Sequence, residues 1–187
     1  MIKIGVTGSL ASGKSTVAKL ISKGRYPVFN ADEVVANLYK KRIFLKKIKK
    51  KFNIKNSENI RKKIKTLIQK DKKKIKKLES IIHPLVRKKM RSFMRSKKNK
   101  EKLIFDIPLL IESRLMKNFD FVIFVGAKKN IRLKRYLYKK GNRKIFTTLD
   151  KRQITPSKKM KISDHIIHNN NSLKVLKRNV KFLMNKL

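Results

Sequence analysis

The sequence predicts an α/β fold, a parallel sheet with helices on both faces, and three observations point to it. Short apolar runs of strand length alternate with stretches whose apolar residues recur at three- and four-residue intervals. One run, Phe119 to Val125, is almost continuously apolar, as a strand covered on both faces requires. A glycine-rich turn containing a lysine closes the first run and opens the first helical stretch, where a parallel sheet places its ligand loop.

The elements follow in order. Ile2 to Thr7 forms the first strand, and a helix follows from Lys14 to about Lys23. Tyr26 to Phe29 forms a second strand, with a helix beginning at Glu33. Between Lys40 and Lys102 the apolar residues keep helical spacing: Ile60, Ile64, Leu67 and Ile68, then Leu78, Ile81, Ile82, Leu85, Val86, Met90, Phe93 and Met94. Pro84 should bend or divide the longer of these helices. Leu103 to Phe105 lies in the third strand, within Lys102 to Ile107, and Phe119 to Val125 is the fourth. A helix from about Lys129 to Tyr138 and a basic segment to about Lys161 come next. His165 to Ile167 is the last strand, and Leu173, Leu176, Val180 and Leu183 mark a closing helix. No internal repeat is visible.

The chain has 187 residues, within the range of about 100 to 200 expected of one domain. It contains no cysteine, which excludes a disulfide framework, a Cys-based zinc site and thiol catalysis. No apolar run approaches the roughly 18 residues that span a bilayer, and no signal-peptide pattern precedes the first strand. The expectation is a soluble cytoplasmic protein.

Lys and Arg number 54 against 11 Asp and Glu, a formal net charge of +43. Such a surplus usually suggests a polyphosphate backbone as partner. The bases are 42 Lys and only 12 Arg, however, and 22 Ile and 14 Asn stand beside 5 Ala. Lys, Ile and Asn are the residues of AT-rich codons, whereas base reading relies on the Arg fork. Coding drift and selection for a polyanionic partner both remain open on composition.

The chemical signal is sharper. Gly8-Ser9-Leu10-Ala11-Ser12-Gly13-Lys14-Ser15 matches G-x-x-x-x-G-K-[ST] in full, between a strand and a helix. The two glycines permit close backbone approach, so that N–H groups from about Ala11 to Thr16, Ser12 among them, surround phosphate oxygens at a helix N-terminus. Lys14 can reach the β- and γ-phosphates, and Ser15 can offer a hydroxyl to Mg²⁺. The motif predicts a nucleoside triphosphate site. Asp32 follows the second strand on the phosphate side of the sheet. It can orient or deprotonate an acceptor hydroxyl, or it can cap the next helix.

At this point the chain resembles a known family nearly end to end. Gly5-Val6-Thr7-Gly8 through Lys14-Ser15-Thr16, Asn30-Ala31-Asp32, Leu78 through Pro84, Asp106 through Glu112, Phe119-Asp120, Gln153 and Asp164 through Asn169 look like the ordered motifs of bacterial dephospho-coenzyme A kinase. The resemblance implies a three-layer P-loop kinase fold with a five-stranded parallel sheet, a helical substrate-binding insert and a lid. The core would span about 1–39, 102–138 and 162–187, the insert about 40–101 and the lid about 139–161 of one domain. It also implies the reaction, transfer of the ATP γ-phosphate to the 3′-hydroxyl of dephospho-CoA with Mg²⁺, the last step of coenzyme A synthesis.

Residue by residue, the resemblance assigns Gly8 and Ala11 to Thr16 to ATP, and Asp32 to the role of base. Asn30 stands where the family has a first aspartate, which puts any metal role of that position in doubt. Asp106 can serve Mg²⁺ or cap a loop. His83, Pro84 and Arg87 are placed toward the acceptor, although an H-P pair on an apolar face also reads as a structural bend. Pro108, Leu109 and Leu110 form a rigid corner or an acceptor-site wall, and Glu112 is an acceptor-site candidate. Arg132, Arg135, Arg143 and Arg152 are lid candidates, Arg135 first; its alternative is a solvated helix charge. Asn169 falls near the adenine or in a turn. The scarce acids Asp32, Glu79, Asp106, Glu112, Asp120 and Asp164 all fall on these motifs and are expected to mark the site. ATP and dephospho-CoA come ahead of nucleic acid as partners, with no membrane. The rivals are a basic nucleic-acid-binding P-loop ATPase and a kinase of another nucleoside-like acceptor.

Overall fold

The computed structural model describes residues 1–54, 59–71 and 73–187; parts of the expected insert, 55–58 and 72, lie outside the described residues. Five parallel strands form one sheet: β1 (Ile2–Gly8), β2 (Val28–Asn30), β3 (Lys102–Asp106), β4 (Phe121–Gly126) and β5 (His165–His168), in the order β2-β3-β1-β4-β5. β2 starts later than the sequence suggests. Pro27 has no N–H to give a ladder, and only its carbonyl is used, accepting from the Ile104 N–H at 3.0 Å.

Alternation along the strands sends side chains to two faces. Ile4, Val6, Ile104, Ile123, Val125 and Ile167 enter one core with Val17, Ala18 and Ile21 of α1 (Lys14–Ser22) and Leu176, Val180 and Leu183 of the closing helix Leu173–Met184. Each buried Val, Leu or Ile among these stabilises the fold by about 1.5–3 kcal/mol. Phe105 points the other way and meets Phe29 at 5.8 Å and Phe119 at 5.1 Å between ring centroids, both as tilted ring pairs.

The chain divides into two compact units, Met1–Asn30 with Lys97–Leu187, and Ala31–Ser96. The second unit is helical: α2 (Ala31–Leu38), α3 (Arg42–Phe52), α4 (Ile60–Lys70) and α5 (Lys73–Ser96). Its core holds Leu38, Phe44, Ile48, Ile60, Ile64, Ile81 and Ile82, so the periodic apolar residues are the buried ones. α5 runs unbroken through Pro84, contrary to the division allowed above. Pro84 and Ser80 are both exposed, so water can take the Ser80 carbonyl that the missing N–H leaves unbonded.

In the first unit, α6 (Lys129–Tyr138) spans the expected residues, and the basic segment beyond it folds as α7 (Arg143–Asp150) and α8 (Pro156–Ile162) before β5 and α9 (Leu173–Met184). Asn142, Thr155 and Ser172 cap α7, α8 and α9 through their side-chain oxygens.

Candidate active site

The chain leaves β1 through α1 toward one edge of the sheet and leaves β3 toward the other, so the topological switch lies between the carboxyl ends of these neighbours. Gly8 to Ser15 sits there. A Cβ on Gly8 would lie 2.6 Å from the Val125 carbonyl oxygen and 2.5 Å from Ser12 Oγ, so only glycine fits. Gly13 has φ 93°, and a Cβ there would collide with the Asn169 amide. Ala11 shares the left-handed region at φ 59°. These turns deliver the first-turn amides of α1 to the loop, and Gly13 caps that helix with no side chain.

Side chains then fix the loop from several directions. Asn169, at the end of β5 and buried, donates from Nδ2 to the Ser12 carbonyl at 2.8 Å. Arg135 Nη1 donates to that same carbonyl at 3.4 Å and Nη2 to Asn169 Oδ1 at 3.3 Å. Leu10 is held on both sides: its N–H donates to Gln153 Oε1 at 3.2 Å, and its carbonyl accepts from Arg132 Nη1 at 3.2 Å. Ser12 Oγ is buried with no hydrogen-bond partner, a polar atom held at the loop's centre.

The charged centre is a pair. Lys14 Nζ lies 3.2 Å from Oδ1 of Asp106, whose side chain is 1% exposed at the end of β3. Asn30 and Asp106 are register partners on neighbouring strands, and Asn30 Nδ2 donates to Asp106 Oδ2 at 3.2 Å. An asparagine here supplies a donor where a second carboxylate would repel Asp106. Thr7 Oγ1 donates to the Pro108 carbonyl at 3.1 Å, which ties the Pro108–Leu110 corner to β1. Beside the loop, a cleft of about 630 Å³ is lined by Ala11, Gly13, Thr16, Arg135, Tyr138 and Asn169, among others.

The sequence-predicted residues fall into two groups. Gly8, Ala11, Ser12, Gly13, Lys14, Ser15, Thr16, Asp106, Pro108, Leu109, Leu110, Glu112, Arg135 and Asn169 belong to the sheet-bearing unit; Asp32, His83, Pro84 and Arg87 belong to the helical one. α2 begins at Ala31, so Asp32 lies inside its first turn rather than capping a helix that starts at Glu33. His83 is half-buried, and burial holds its pKa below the usual 6.5, with Glu79 pulling it up and Arg87 down. Nε of Arg87 is buried with no hydrogen-bond partner. Glu112 Oε1 pairs with Lys159 Nζ at 2.6 Å and accepts from the Ile154 N–H at 3.2 Å.

Three expectations change. Arg132 is not a lid group waiting for phosphate: it is 3% exposed, pairs bidentately with Asp150 and stacks over Phe146. Asp120 and Asp164 do not mark the site. Their carboxylates accept the Lys3 and Val122 N–H groups at 2.7 Å each, near the amino ends of β1 and β4, away from the loop. Asp150, Lys159, Lys134 and Tyr138, the last two lining the cleft, carry no local sequence signal that separates them from the surface residues around them.

Among the described residues no cluster of three metal-ligating side chains exists. One serine hydroxyl on the first turn of α1 and one carboxylate ending β3 nevertheless fit Mg²⁺, which keeps most of its waters and takes phosphate oxygens as ligands.

This strand order and this loop define a P-loop kinase. The family model described as dephospho-CoA kinase matches residues 2–175. The chain belongs to the dephospho-CoA kinase family. It is similar to the dephospho-CoA kinase of Bartonella henselae, at 36% identity over 98% of this chain and 97% of the relative. Among solved structures it is similar to a Thermus thermophilus protein, with a TM-score of 0.80 at 28% identity over 100% of this chain and 97% of that one. It is also similar to the dephospho-CoA kinase of Campylobacter jejuni, with a TM-score of 0.64 at 26% identity over 98% and 96%. No described helix is long and apolar enough to cross a membrane.

Proposed function

We propose that this protein transfers the γ-phosphate of ATP to the 3′-hydroxyl of dephospho-CoA, giving ADP and coenzyme A. The observation that carries the reading is the complete phosphate loop at the switch point, with Lys14 Nζ 3.2 Å from Asp106, in a chain of this family. ATP phosphates lie against the amides from Ala11 to Thr16, and the buried Ser12 hydroxyl is available to them. Lys14 exchanges Asp106 for the β- and γ-phosphates. The adenine takes the cleft beside Asn169, and Arg135 turns from the Ser12 carbonyl to the transferring phosphate as negative charge spreads there.

Asp32 accepts the proton of the 3′-hydroxyl as its oxygen bonds to the γ-phosphorus and the bond to the ADP oxygen breaks. His83, Pro84 and Arg87 serve the acceptor, Arg87 through the unbonded Nε that suits an anionic group. Pro108, Leu109 and Leu110 wall the acceptor, and Glu112 supports that corner. Ser15 and Asp106 would hold Mg²⁺, which when bound neutralises phosphate charge. We assign the work to the cytoplasm, where ATP is at hand as cosubstrate.

The test is an acceptor assay. Purified protein with ATP, Mg²⁺ and dephospho-CoA should yield coenzyme A, identified by mass spectrometry, with no polynucleotide present. ATP hydrolysis that DNA or RNA stimulates, with no coenzyme A formed, would overturn the reading in favour of a nucleic-acid ATPase.

A further inference from the structure

Lys159 on α8 is 0% exposed, although it is a lysine. A buried ammonium needs a counter-charge, and Glu112 Oε1 supplies it at 2.6 Å. The same oxygen accepts the Ile154 N–H at 3.2 Å. The residue before Ile154 is Gln153, whose Oε1 receives the Leu10 N–H of the phosphate loop at 3.2 Å. A connected line therefore runs from α8 through the loop after β3 to the tip of the phosphate loop. A buried ion pair adds little net stability over apolar residues of like volume, so its use is to fix a position.

We propose that Lys159 is a positioning residue for the phosphate loop. It holds Glu112 on the Ile154 amide, and this sets Gln153 against Leu10, so that the loop keeps its shape for ATP. The inference rests on the reading of that loop as the ATP site. Lys159 touches no substrate itself; it acts through Glu112 and Gln153.

The test separates ATP from the acceptor. Lys159→Met should raise the KM for ATP about five- to tenfold, the equivalent of one lost hydrogen bond, and raise the KM for dephospho-CoA, whose corner Glu112 also supports, by clearly less. Lys159→Arg should restore most of the loss. Gln153→Met leaves the ion pair intact and cuts only the last link, so it should reproduce the ATP-selective effect even if Lys159→Met does not fold. An unchanged KM for ATP in Gln153→Met, or equal rises for both substrates in Lys159→Met, overturns the proposal alone. Wild-type protein that binds no ATP overturns both the proposal and the site reading beneath it.

Discussion

Lys14 Nζ and Asp106 Oδ1 stand 3.2 Å apart, and the pair joins the phosphate loop after β1 to the end of β3. The two residues are 92 positions apart in sequence, since 106 minus 14 is 92, and parallel pairing of Val6 with Asp106 brings them together. An ammonium beside a buried carboxylate is held in place, ready to exchange its partner for phosphate. Catalysis in this fold depends on such positioning, because phosphoryl transfer asks for charge placement more than covalent chemistry.

Asp32→Asn removes the proposed base and keeps the shape of the side chain. Turnover should fall by about 10² or more while ATP affinity stays nearly intact. Steady-state rates with both substrates, together with a direct ATP titration, check this. An unchanged rate would reduce Asp32 to a first-turn acid that merely favours the α2 dipole.

Arg135→Lys keeps the charge but loses the fork that spans the Ser12 carbonyl and Asn169. kcat/KM for ATP should drop by about tenfold or more. Wild-type kinetics in this variant would mean that Arg135 is a solvated helix charge.

Arg132→Met should lower unfolding stability by about 3 kcal/mol, because it leaves Asp150 without its partner at a largely buried position. Urea unfolding measures it. Lys174→Met on the exposed face of α9 is the control and should stay within about 0.5 kcal/mol of wild type. Equal effects from the two would show that the Arg132 pair has no special weight.

His83 sets a pH dependence. Its pKa in the fold lies below the unfolded value of 6.5, chiefly through burial, so below 6.5 the unfolded chain binds the extra proton. The stability this group contributes is present above 6.5 and is lost as pH falls through the folded pKa. Thermal melting from about pH 7.5 downward should therefore fall, and His83→Gln should flatten the decline above the carboxylate range. A slope that His83→Gln leaves unaltered would assign the decline to other groups.

Much of the molecule can be read locally. An apolar run of five or six residues is a strand almost wherever it occurs in such an alternating pattern, and β1, β3, β4 and α6 lie within a residue or two of the expected places. The phosphate loop is legible because its chemistry needs glycine and lysine at set intervals in one continuous segment. The scarcity of acids was a partial guide. Asp106 sits at the site, whereas Asp120 and Asp164 secure the far ends of β1 and β4, since a carboxylate serves a strand end as well as it serves a phosphate site.

The +43 charge conceals the rest. Among 42 lysines, Lys159 has a sequence environment like that of its neighbours, and only the packing of α8 removes it from water and makes Glu112 its partner. Arg132 and Arg135 lie three residues apart on one helix, yet one is locked to Asp150 and the other reaches the Ser12 carbonyl. Spacing and residue type follow from the chain and established the sheet, the loop and the family. Which of many identical charges is buried, and against what, depends on contacts between segments distant in sequence, and burial is what turns a surface lysine into a positioning group.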